Sequence, residues 1–315
     1  MFFNPAGQSM PILGMLRALP RIRAAIKAEC PDVIVAFMHS TYVPVTFATL
    51  GLPLPLVVSE HTVARHYQTR PFQRQIRKIA DSIATLRTVP SESARQSFLN
   101  ADASDCVVVP NPISTVVRSS SDCRYDRNSK VAVSVGVMRP EKDHATLIDA
   151  FAQVADAFPD WRLRIVGDGP LRPQLEAQVA RLNLQDRVEM PGIVRDMVAT
   201  YEAARFVVLP SRYESFGMVA AEALAAGRAV LSFDDCTGIA EIVESGHNGL
   251  LVHGTSDGDI RVLALAQGMW RMMAEPDACK SMGEKGPASV AHFGVDRVLD
   301  VWDGIFRDVT GQNTA

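Results

Sequence analysis

The sequence predicts an α/β fold in which two domains each contain a parallel sheet. In the second half of the chain, short apolar segments alternate with longer segments that have helical spacing. Strands that are apolar on both faces are typical of a parallel sheet covered by helices on each side. A polar, turn-rich tract at 114–129 precedes this half and predicts a linker after an earlier series of shorter alternations.

Composition favours an ordinary globular protein. The chain has 315 residues, 47% of them hydrophobic, and a formal charge of -3, which is enough length for two domains and gives no argument for nucleic-acid binding. No apolar run approaches the ~20 residues of a membrane span and no signal segment is evident, so we expect a cytoplasmic protein. The five cysteines are scattered, so we expect reduced thiols and neither a metal site nor a disulfide framework.

The first half begins with a predicted loop at 1–10 and an amphipathic helix at 11–28. The polar face of this helix is basic, and a second basic segment spans 70–78. Two interpretations remain open for these charges: a solvated helix face, or contact with anionic lipid headgroups or a lipid-linked acceptor. The basic residues of the helix are Arg17, Arg21, Arg23 and Lys27.

Short strands then alternate with helices in the first half. The polar run at 59–62 follows the second strand, at the end where ligands bind in open α/β sheets. His61 is the main candidate there, either as a structural residue or, with Glu60, as a group that orients a substrate; His39 is a weaker candidate. Strands are predicted at 33–37, 54–58, 86–89 and 107–109, with helices at 44–50 and from Ser91 onward.

The second half alternates regularly, and helices without strands follow it. Strands are predicted at 131–136, 162–166, 187–190, 206–209, 229–232 and 250–252. Helices are predicted at 144–157, 170–182 and 195–203 between strands, and at 258–274, 277–285 and 294–309 after them.

The stretch 210–230 organises this half. An apolar strand stops at Pro210, a polar turn follows, and good helix formers run from Met218 until Gly227 closes the helix. Gly217 therefore lies near the N-terminus of a helix that follows the carboxyl end of a parallel strand. The amides and dipole of such a helix end favour an anion such as phosphate.

Two carboxylates bracket this helix end. Glu214 lies in the turn, and Glu222 is five residues into the helix, about 7 Å along its axis. Because a carboxylate repels phosphate, we expect both acids to accept hydrogen bonds from hydroxyls, an arrangement that suits a nucleotide sugar. On spacing alone, the alternative stays open that one glutamate is solvated and the other complements the helix dipole.

The residues between and around these carboxylates resemble a known family. Glu214 and Glu222, with Phe216 and Gly217 between them, resemble the signature of retaining glycosyltransferases of family 4, which have the GT-B fold. The resemblance is strong over about 130–310 and weaker upstream. Further matching segments, in order, are 135–136, 140–142, 165–170, 241–243 and 246–252.

The resemblance implies two Rossmann-like parallel-sheet domains facing a cleft. They would be an acceptor-side domain at 1–113, a linker at 114–129, a nucleotide-sugar domain at 130–290 and a final helix at 291–315 that returns toward the first domain. The first half is shorter than usual in the family and lacks a glycine-rich opening turn. We therefore expect the first domain to be truncated.

The resemblance also implies roles for the site residues. Glu214 would hold hydroxyls of the transferred sugar, Glu222 would grip the ribose, and Lys142 with helix amides would stabilise the departing diphosphate in place of a metal. No cofactor is expected beyond the nucleotide-sugar co-substrate. The expected catalytic residues are Glu214, Glu222, His61 and Lys142; the expected donor-binding residues are Gly136, Arg139, Lys142, Gly167, Gly192, Ile193, Ser215, Phe216, Gly217, Met218, Val219, Glu222, Thr237 and Gly238.

One position departs from the family pattern. The family places an arginine where this chain has Val137, which puts full donor affinity in doubt, and Arg139 is a candidate replacement. Without the resemblance, purely structural roles stay open for these residues: Lys142 as an exposed loop lysine, Gly167 as part of a tight turn, and Thr237 as a helix cap.

These observations predict a retaining glycosyltransferase. It would move a hexose or N-acetylhexosamine from a nucleotide diphosphate sugar, with UDP preferred, to a glycan or lipid-linked acceptor in polysaccharide biosynthesis. Peripheral contact with the inner face of the membrane is part of this expectation. The rival hypotheses are a non-catalytic nucleotide-sugar-binding subunit and a GT-B nucleotide-sugar epimerase.

Overall fold

The computed structural model describes residues 12–102, 106–113 and 128–312. They form two compact units: one combines the chain up to Pro110 with the chain from Val298 onward, and the other runs from Asn111 to Arg297. The predicted α/β class with two parallel sheets is confirmed, because the units contain sheets of four and six parallel strands. The predicted loop at 1–10 and most of the predicted linker, 114–127, lie outside the described residues.

The first unit contains the four-stranded sheet. Its strands lie side by side in chain order, each parallel to the next, with Ile34 opposite Leu56 and Thr88 opposite Val107. Because parallel neighbours need long crossovers, helices separate them in sequence. The strands are β1 (Ile34–Phe37), β2 (Leu56–Ser59), β3 (Leu86–Val89) and β4 (Val107–Val108).

The helices of the first unit are α1 (Ile12–Glu29), α2 (His39–Thr49), α3 (Pro71–Ile83) and α4 (Glu92–Asp102). Helix α2 begins five residues before the predicted start at 44. Its first turn bonds to the carbonyl of Met38, directly after β1, and it buries Tyr42. A polar first turn gives no apolar periodicity, so the sequence pattern marked only the later part of the helix.

The second unit contains the six-stranded sheet, in the order β10-β9-β8-β5-β6-β7. The strands are β5 (Val131–Val135), β6 (Arg162–Val166), β7 (Val188–Gly192), β8 (Phe206–Leu209), β9 (Val230–Phe233) and β10 (Gly249–Val252). Its helices are α5 (His144–Ala155), α6 (Arg172–Arg181), α7 (Met197–Ala203), α8 (Met218–Ala225), α9 (Thr237–Ala240), α10 (Gly258–Ala274) and α11 (Pro276–Ser289).

Strand β8, in the middle of the sheet, has no polar face. Phe206 and Val208 belong to one buried cluster, while Val207 and Leu209 belong to another. Successive side chains of a strand point to opposite faces, so both faces of the sheet are covered at β8. The predicted burial on both sides is therefore confirmed for this strand.

Helix α11 is longer than predicted. It continues past 285 to Ser289, through Gly286 and Pro287. A Cβ at Gly283 would lie 2.4 Å from the carbonyl oxygen of Gly227, and one at Gly286 would lie 2.4 Å from that of Leu224. These glycines let α11 pack directly on the end of α8, and this contact outweighs their poor helix propensity.

The last helix, α12 (Val295–Thr310), packs within the first unit from Val298 onward. Val298 and Ile305 are buried in one cluster with Val57 and Val109. Trp302 stacks on Phe306 with ring centroids 5.6 Å apart. Within the described residues, no helix is long and apolar enough to cross a membrane.

Candidate active site

Three predicted donor-site glycines meet at the carboxyl edge of the six-stranded sheet. Gly167 has a φ of +131°, and a Cβ there would lie 2.1 Å from the carbonyl oxygen of Gly136. The amide of Gly167 donates to the carbonyl of Gly192, 2.9 Å away. The segments after β5 and β6 and the end of β7 are therefore in backbone contact, and no side chain fits at Gly167.

Lys142 reaches from this edge to Glu214. It ends a 3-10 turn (Pro140–Lys142) after β5, and its Cδ lies 3.5 Å from the Cβ position of Gly136. Its ammonium donates to the Glu214 carboxylate, and these side chains are 23% and 20% exposed. Lys142 is thus a partly buried member of an ion pair and not a solvated loop lysine.

The loop that carries Glu214 is anchored on several sides. The Ser211 hydroxyl donates to Glu214 over 2.9 Å, and the amide of Arg212 donates to the carbonyl of Glu141 over 2.8 Å. A Cβ at Gly238 would lie 2.4 Å from the carbonyl oxygen of Glu214. This contact brings the start of α9, with Thr237, against the loop; Cys236, and not Thr237, holds the cap position.

Helix α8 begins without a side-chain cap. Gly217 occupies the cap position with a φ of +91°, so no side chain there satisfies the first amides of Met218 and Val219. Ser215, Met218 and Val219 are partly exposed. The ring of Phe216 is buried and packs edge-on against Phe293, 4.9 Å between centroids, so only its backbone remains a candidate donor ligand.

Glu222 has a partner that sequence analysis missed. The hydroxyl of Tyr201, a fully buried residue of α7, donates to the Glu222 carboxylate over 2.9 Å. Burial raises the pKa of Glu222 above its ordinary value, and the hydrogen bond from Tyr201 opposes this shift. The only sequence signal was a tyrosine in a short apolar helix, which gives no indication of contact with a residue 21 positions later.

Three further residues are exposed beside the carboxyl edge of the sheet: the expected donor ligands Ile193 and Arg139, and Val137, where the chain departs from the family pattern. Ile193 follows β7 and is 81% exposed, and Val137 follows β5 and is 47% exposed. Arg139 is exposed, and no hydrogen bond or ion pair of its side chain occurs among the described residues. Within the described part of the chain, no group of three or more potential ligands is arranged to hold a metal ion.

His61 and Glu60 of the first unit have different surroundings. Glu60 has no exposed surface, and its carboxylate accepts hydrogen bonds from Tyr42 (2.9 Å), Tyr67 (2.5 Å) and Thr62 (3.1 Å). Glu60 is therefore saturated by protein groups, contrary to a role in orienting substrate. His61 remains partly exposed, and its Nε2 lies 3.0 Å from the Ser59 hydroxyl.

Two histidines of this unit, His61 and His39, favour the neutral form. Burial lowers the pKa of His61, although the nearby Glu60 carboxylate opposes the shift. Burial likewise lowers the pKa of His39, whose Nδ1 has no hydrogen-bond partner among the described residues. A neutral imidazole can accept a proton or a hydrogen bond, so both histidines keep this capacity near neutral pH.

Two family descriptions match the chain. The description "Glycosyl transferases group 1" matches residues 122–289, and "Glycosyl transferase 4-like domain" matches residues 4–112. A phosphatidyl-myo-inositol mannosyltransferase of Mycobacterium tuberculosis is 30% identical over 329 residues, covering 98% of this chain and 85% of that protein. An exopolysaccharide phosphotransferase of Streptomyces coelicolor is 33% identical over 220 residues, covering 69% of this chain.

Solved structures agree with the fold. The Anabaena protein HepE, in complex with UDP and glucose, is similar at a TM-score of 0.77 and 25% identity, covering 94% of this chain and 84% of that one. The two parallel sheets thus belong to the GT-B fold. The chain spans only 22% of the Streptomyces coelicolor relative, and 61% and 48% of two further relatives.

The contact between Tyr201 and Glu222 generates a pH prediction. In Tyr201→Phe, the carboxylate loses the hydrogen bond that opposes the effect of burial, so we expect the pKa of Glu222 to rise further. Carbon-13 NMR titration of the glutamate carboxyl groups measures this pKa. Tyr42→Phe, which alters a tyrosine of the other unit, is the control and should leave Glu222 unchanged; an unaltered or lowered Glu222 pKa in Tyr201→Phe contradicts the prediction.

Proposed function

This chain belongs to the glycosyl transferases group 1 family, and from that premise we propose that it is a retaining, metal-independent glycosyltransferase. It moves a hexose or N-acetylhexosamine from a UDP-sugar to a glycan or lipid-linked acceptor in polysaccharide biosynthesis. The observation that carries the proposal is the ion pair of Lys142 and Glu214, directly before the uncapped helix α8. The complex of HepE with UDP and glucose supports the choice of donor.

The proposed chemistry follows from the groups at this edge. Retaining transfer develops positive charge on the sugar and negative charge on the departing diphosphate. Lys142 has three N–H donors and Glu214 uses one of them, so the others are available to a phosphate oxygen. The first amides of α8 add neutral donors and the positive end of a helix dipole. Preorganised donors of this kind stabilise charge that develops in the transition state.

The two carboxylates take the hydroxyl-binding roles. Glu214 lies in the loop beside the proposed diphosphate site, where it holds hydroxyls of the transferred sugar. Glu222 lies five residues after Gly217, about 7 Å along the axis of α8, and there it binds the ribose. Gly192 ends β7 beside Gly167, and Ile193 follows it; the exposed Ile193 offers an apolar surface to the base.

The acceptor-side groups belong to the first unit. We assign His61 to the sugar or acceptor, because it is partly exposed and neutral and its ring is oriented by Ser59. The Mycobacterium tuberculosis relative is named for a lipid acceptor, phosphatidyl-myo-inositol, which supports a lipid-linked acceptor here.

A surface of the first unit suits a lipid bilayer. Helix α3 exposes Phe72, Ile79 and Ile83, at spacings that put them on one face, with Arg74 and Lys78 in the same helix. An exposed apolar stripe on one face and cations on the remaining face are typical of helices that lie on anionic membranes. We propose that this α3 stripe (Phe72, Ile79 and Ile83) rests on the membrane that holds the acceptor.

Two residues of the basic segments, for which a solvated face or lipid contact was left open, make contacts within the fold. The Arg23 guanidinium donates through Nη1 to the carbonyls of Ala48 and Leu50, both at 2.8 Å, and so caps the end of α2. Arg77 is fully buried and pairs with Asp81, so its guanidinium does not face headgroups.

The function is tested with a panel of nucleotide sugars. We expect the wild-type chain to be stabilised against thermal unfolding by UDP-sugars and to release UDP when an acceptor is present. Glu214→Ala and Glu222→Ala should each lose at least tenfold in transfer rate, about 1.4 kcal/mol in the barrier. Glu189→Ala, which alters an exposed glutamate paired with Arg164, is the control.

The outcomes separate the rival functions. Binding without turnover in the wild type indicates the non-catalytic subunit, and conversion of the donor without an acceptor indicates an epimerase. Near-normal turnover by both Glu214→Ala and Glu222→Ala rules out the proposed site.

Arg139 supplies a further prediction. Because Val137 stands where the family has an arginine, we expect the exposed Arg139 guanidinium to contact the diphosphate, and Arg139→Ala to weaken UDP binding by about 1–3 kcal/mol. Isothermal titration calorimetry measures the affinity. Arg181→Ala, at the far end of α6, is the control. Equal affinities of Arg139→Ala and wild type remove Arg139 from the site.

The α3 stripe predicts membrane binding that depends on lipid charge. We expect the chain to sediment with vesicles containing phosphatidylglycerol and not with pure phosphatidylcholine vesicles. Phe72→Ser combined with Ile79→Ser should abolish this binding. Ile260→Ser combined with Leu263→Ser removes two exposed apolar residues of the second unit and serves as the control. Loss of binding in the control, or binding by both double variants, contradicts the assignment to α3.

A further inference from the structure

Arg261 places a buried positive charge behind the candidate donor site. It lies in the first turn of α10, its side chain is 1% exposed, and its guanidinium carbon lies 3.6 Å from the centre of the Phe233 ring. A buried guanidinium is unfavourable unless charged and polar groups surround it. Its partners therefore identify what the arginine holds in place.

The partners of Arg261 come from loops that follow four different strands. Nη1 donates to the Asp235 carboxylate at 2.8 and 3.1 Å and to the carbonyl of Thr255 at 3.4 Å. Nη2 donates to the carbonyls of Pro210 and Ser211 at 3.4 and 3.3 Å. Nε lies 3.4 Å from the carboxylate of Asp143. One side chain thus ties together the segments after β5, β8, β9 and β10.

Two of these segments carry the proposed phosphate and sugar ligands. Asp143 directly follows Lys142, and Ser211 both precedes Glu214 by three residues and hydrogen-bonds to it. Asp143 also lies 2.9 Å from the guanidinium of Arg212, which belongs to the same loop as Glu214. The Asp143 carboxylate therefore lies beside two arginines: Arg212, from the loop that carries Glu214, and Arg261, from α10.

The backbone at Asp143 turns sharply between Lys142 and helix α5. Asp143 has a φ of +50°, in the left-handed region that Asp adopts more readily than most residues with a side chain, and its side chain is 9% exposed. The two neighbouring guanidiniums lie against its carboxylate in this conformation.

We propose that Arg261 is a positioning residue, which acts through Asp143 and the carbonyls of Pro210 and Ser211 to fix Lys142 relative to Glu214 for diphosphate binding. The proposal rests on the proposed function for the identity of the ligand. Lysine cannot replace this arginine, because an ammonium is a compact point charge and lacks the planar fork that reaches four segments at once. The arginine itself is buried and touches no substrate.

The experiment compares three variants of the full chain. Arg261→Lys keeps the charge and removes the fork, and Asp143→Asn keeps the shape and removes the charge. Arg187→Met is the matched control: Arg187 donates to the carbonyls of Trp161 and Phe158, both at 2.7 Å, before β7 and therefore at the opposite edge of the sheet. Hydrogen exchange of the amides at 141–143 and 211–216, UDP affinity by calorimetry, and kcat and KM are measured for each.

We expect Arg261→Lys and Asp143→Asn to accelerate exchange in both loops together, by tenfold or more. UDP affinity and kcat should each fall at least tenfold, while KM for the acceptor stays within twofold of wild type. Arg187→Met should lower the midpoint of thermal unfolding without altering exchange in these loops or UDP affinity. A general loosening of the fold would instead affect the control in the same way.

Several results overturn the proposal. Wild-type exchange and UDP affinity in both Arg261→Lys and Asp143→Asn show that the loops do not depend on Arg261. Equal effects in Arg187→Met show that any lost arginine has the same consequence. Failure of the proposed function is distinguishable: a wild type that binds no UDP, but whose two loops still loosen together in Arg261→Lys, rejects the donor assignment and leaves the structural coupling.

Discussion

Direct backbone contact between loops is the constraint on which the second unit depends. At the carboxyl edge of its sheet, Gly167 lies against the carbonyl of Gly136, and Gly238 lies against the carbonyl of Glu214, with no room for a Cβ at either glycine. Loops in such contact cannot shift separately without breaking the packing. Lys142 and Glu214 are consequently presented from a rigid edge, although both belong to loops.

The charges at this edge are already balanced before any ligand is considered. Lys142 pairs with Glu214, while Arg212 and Arg261 lie beside Asp143, and Arg261 also pairs with Asp235. A diphosphate would add negative charge to a compensated cluster. The groups still able to offset it are the remaining N–H donors of Lys142, the exposed Arg139 and the uncapped amides of α8, which is why these features carry more weight in the proposed donor site than the paired arginines.

Local patterns in the sequence predicted elements better than they predicted partners. The strands of the second unit were predicted because an apolar pattern on both faces is a property of each strand by itself, as in β8 (Phe206–Leu209). Tyr201 and Arg261 were not identified, because their roles depend on contacts 21 and 26 or more residues away. Arg23 was assigned to a basic surface for the same reason, because the carbonyl of Ala48 that it meets is 25 residues away. Arg77 was assigned to that surface because its burial is set by the rest of the fold, although its partner Asp81 lies only four residues along the same helix.

The two glutamates of the family signature, Glu214 and Glu222, differ because the residues that contact each carboxylate differ, and the spacing of the two in the sequence does not reveal this difference. Glu214 pairs with the ammonium of Lys142, beside the proposed diphosphate site. Glu222 accepts a hydrogen bond from the neutral phenol of Tyr201, and burial raises its pKa. The first carboxylate therefore lies with a cation near the proposed site of charge separation, whereas the second has an uncharged hydrogen-bonding partner. This difference suits Glu214 to the reacting sugar and Glu222 to a ribose that takes no part in the chemistry.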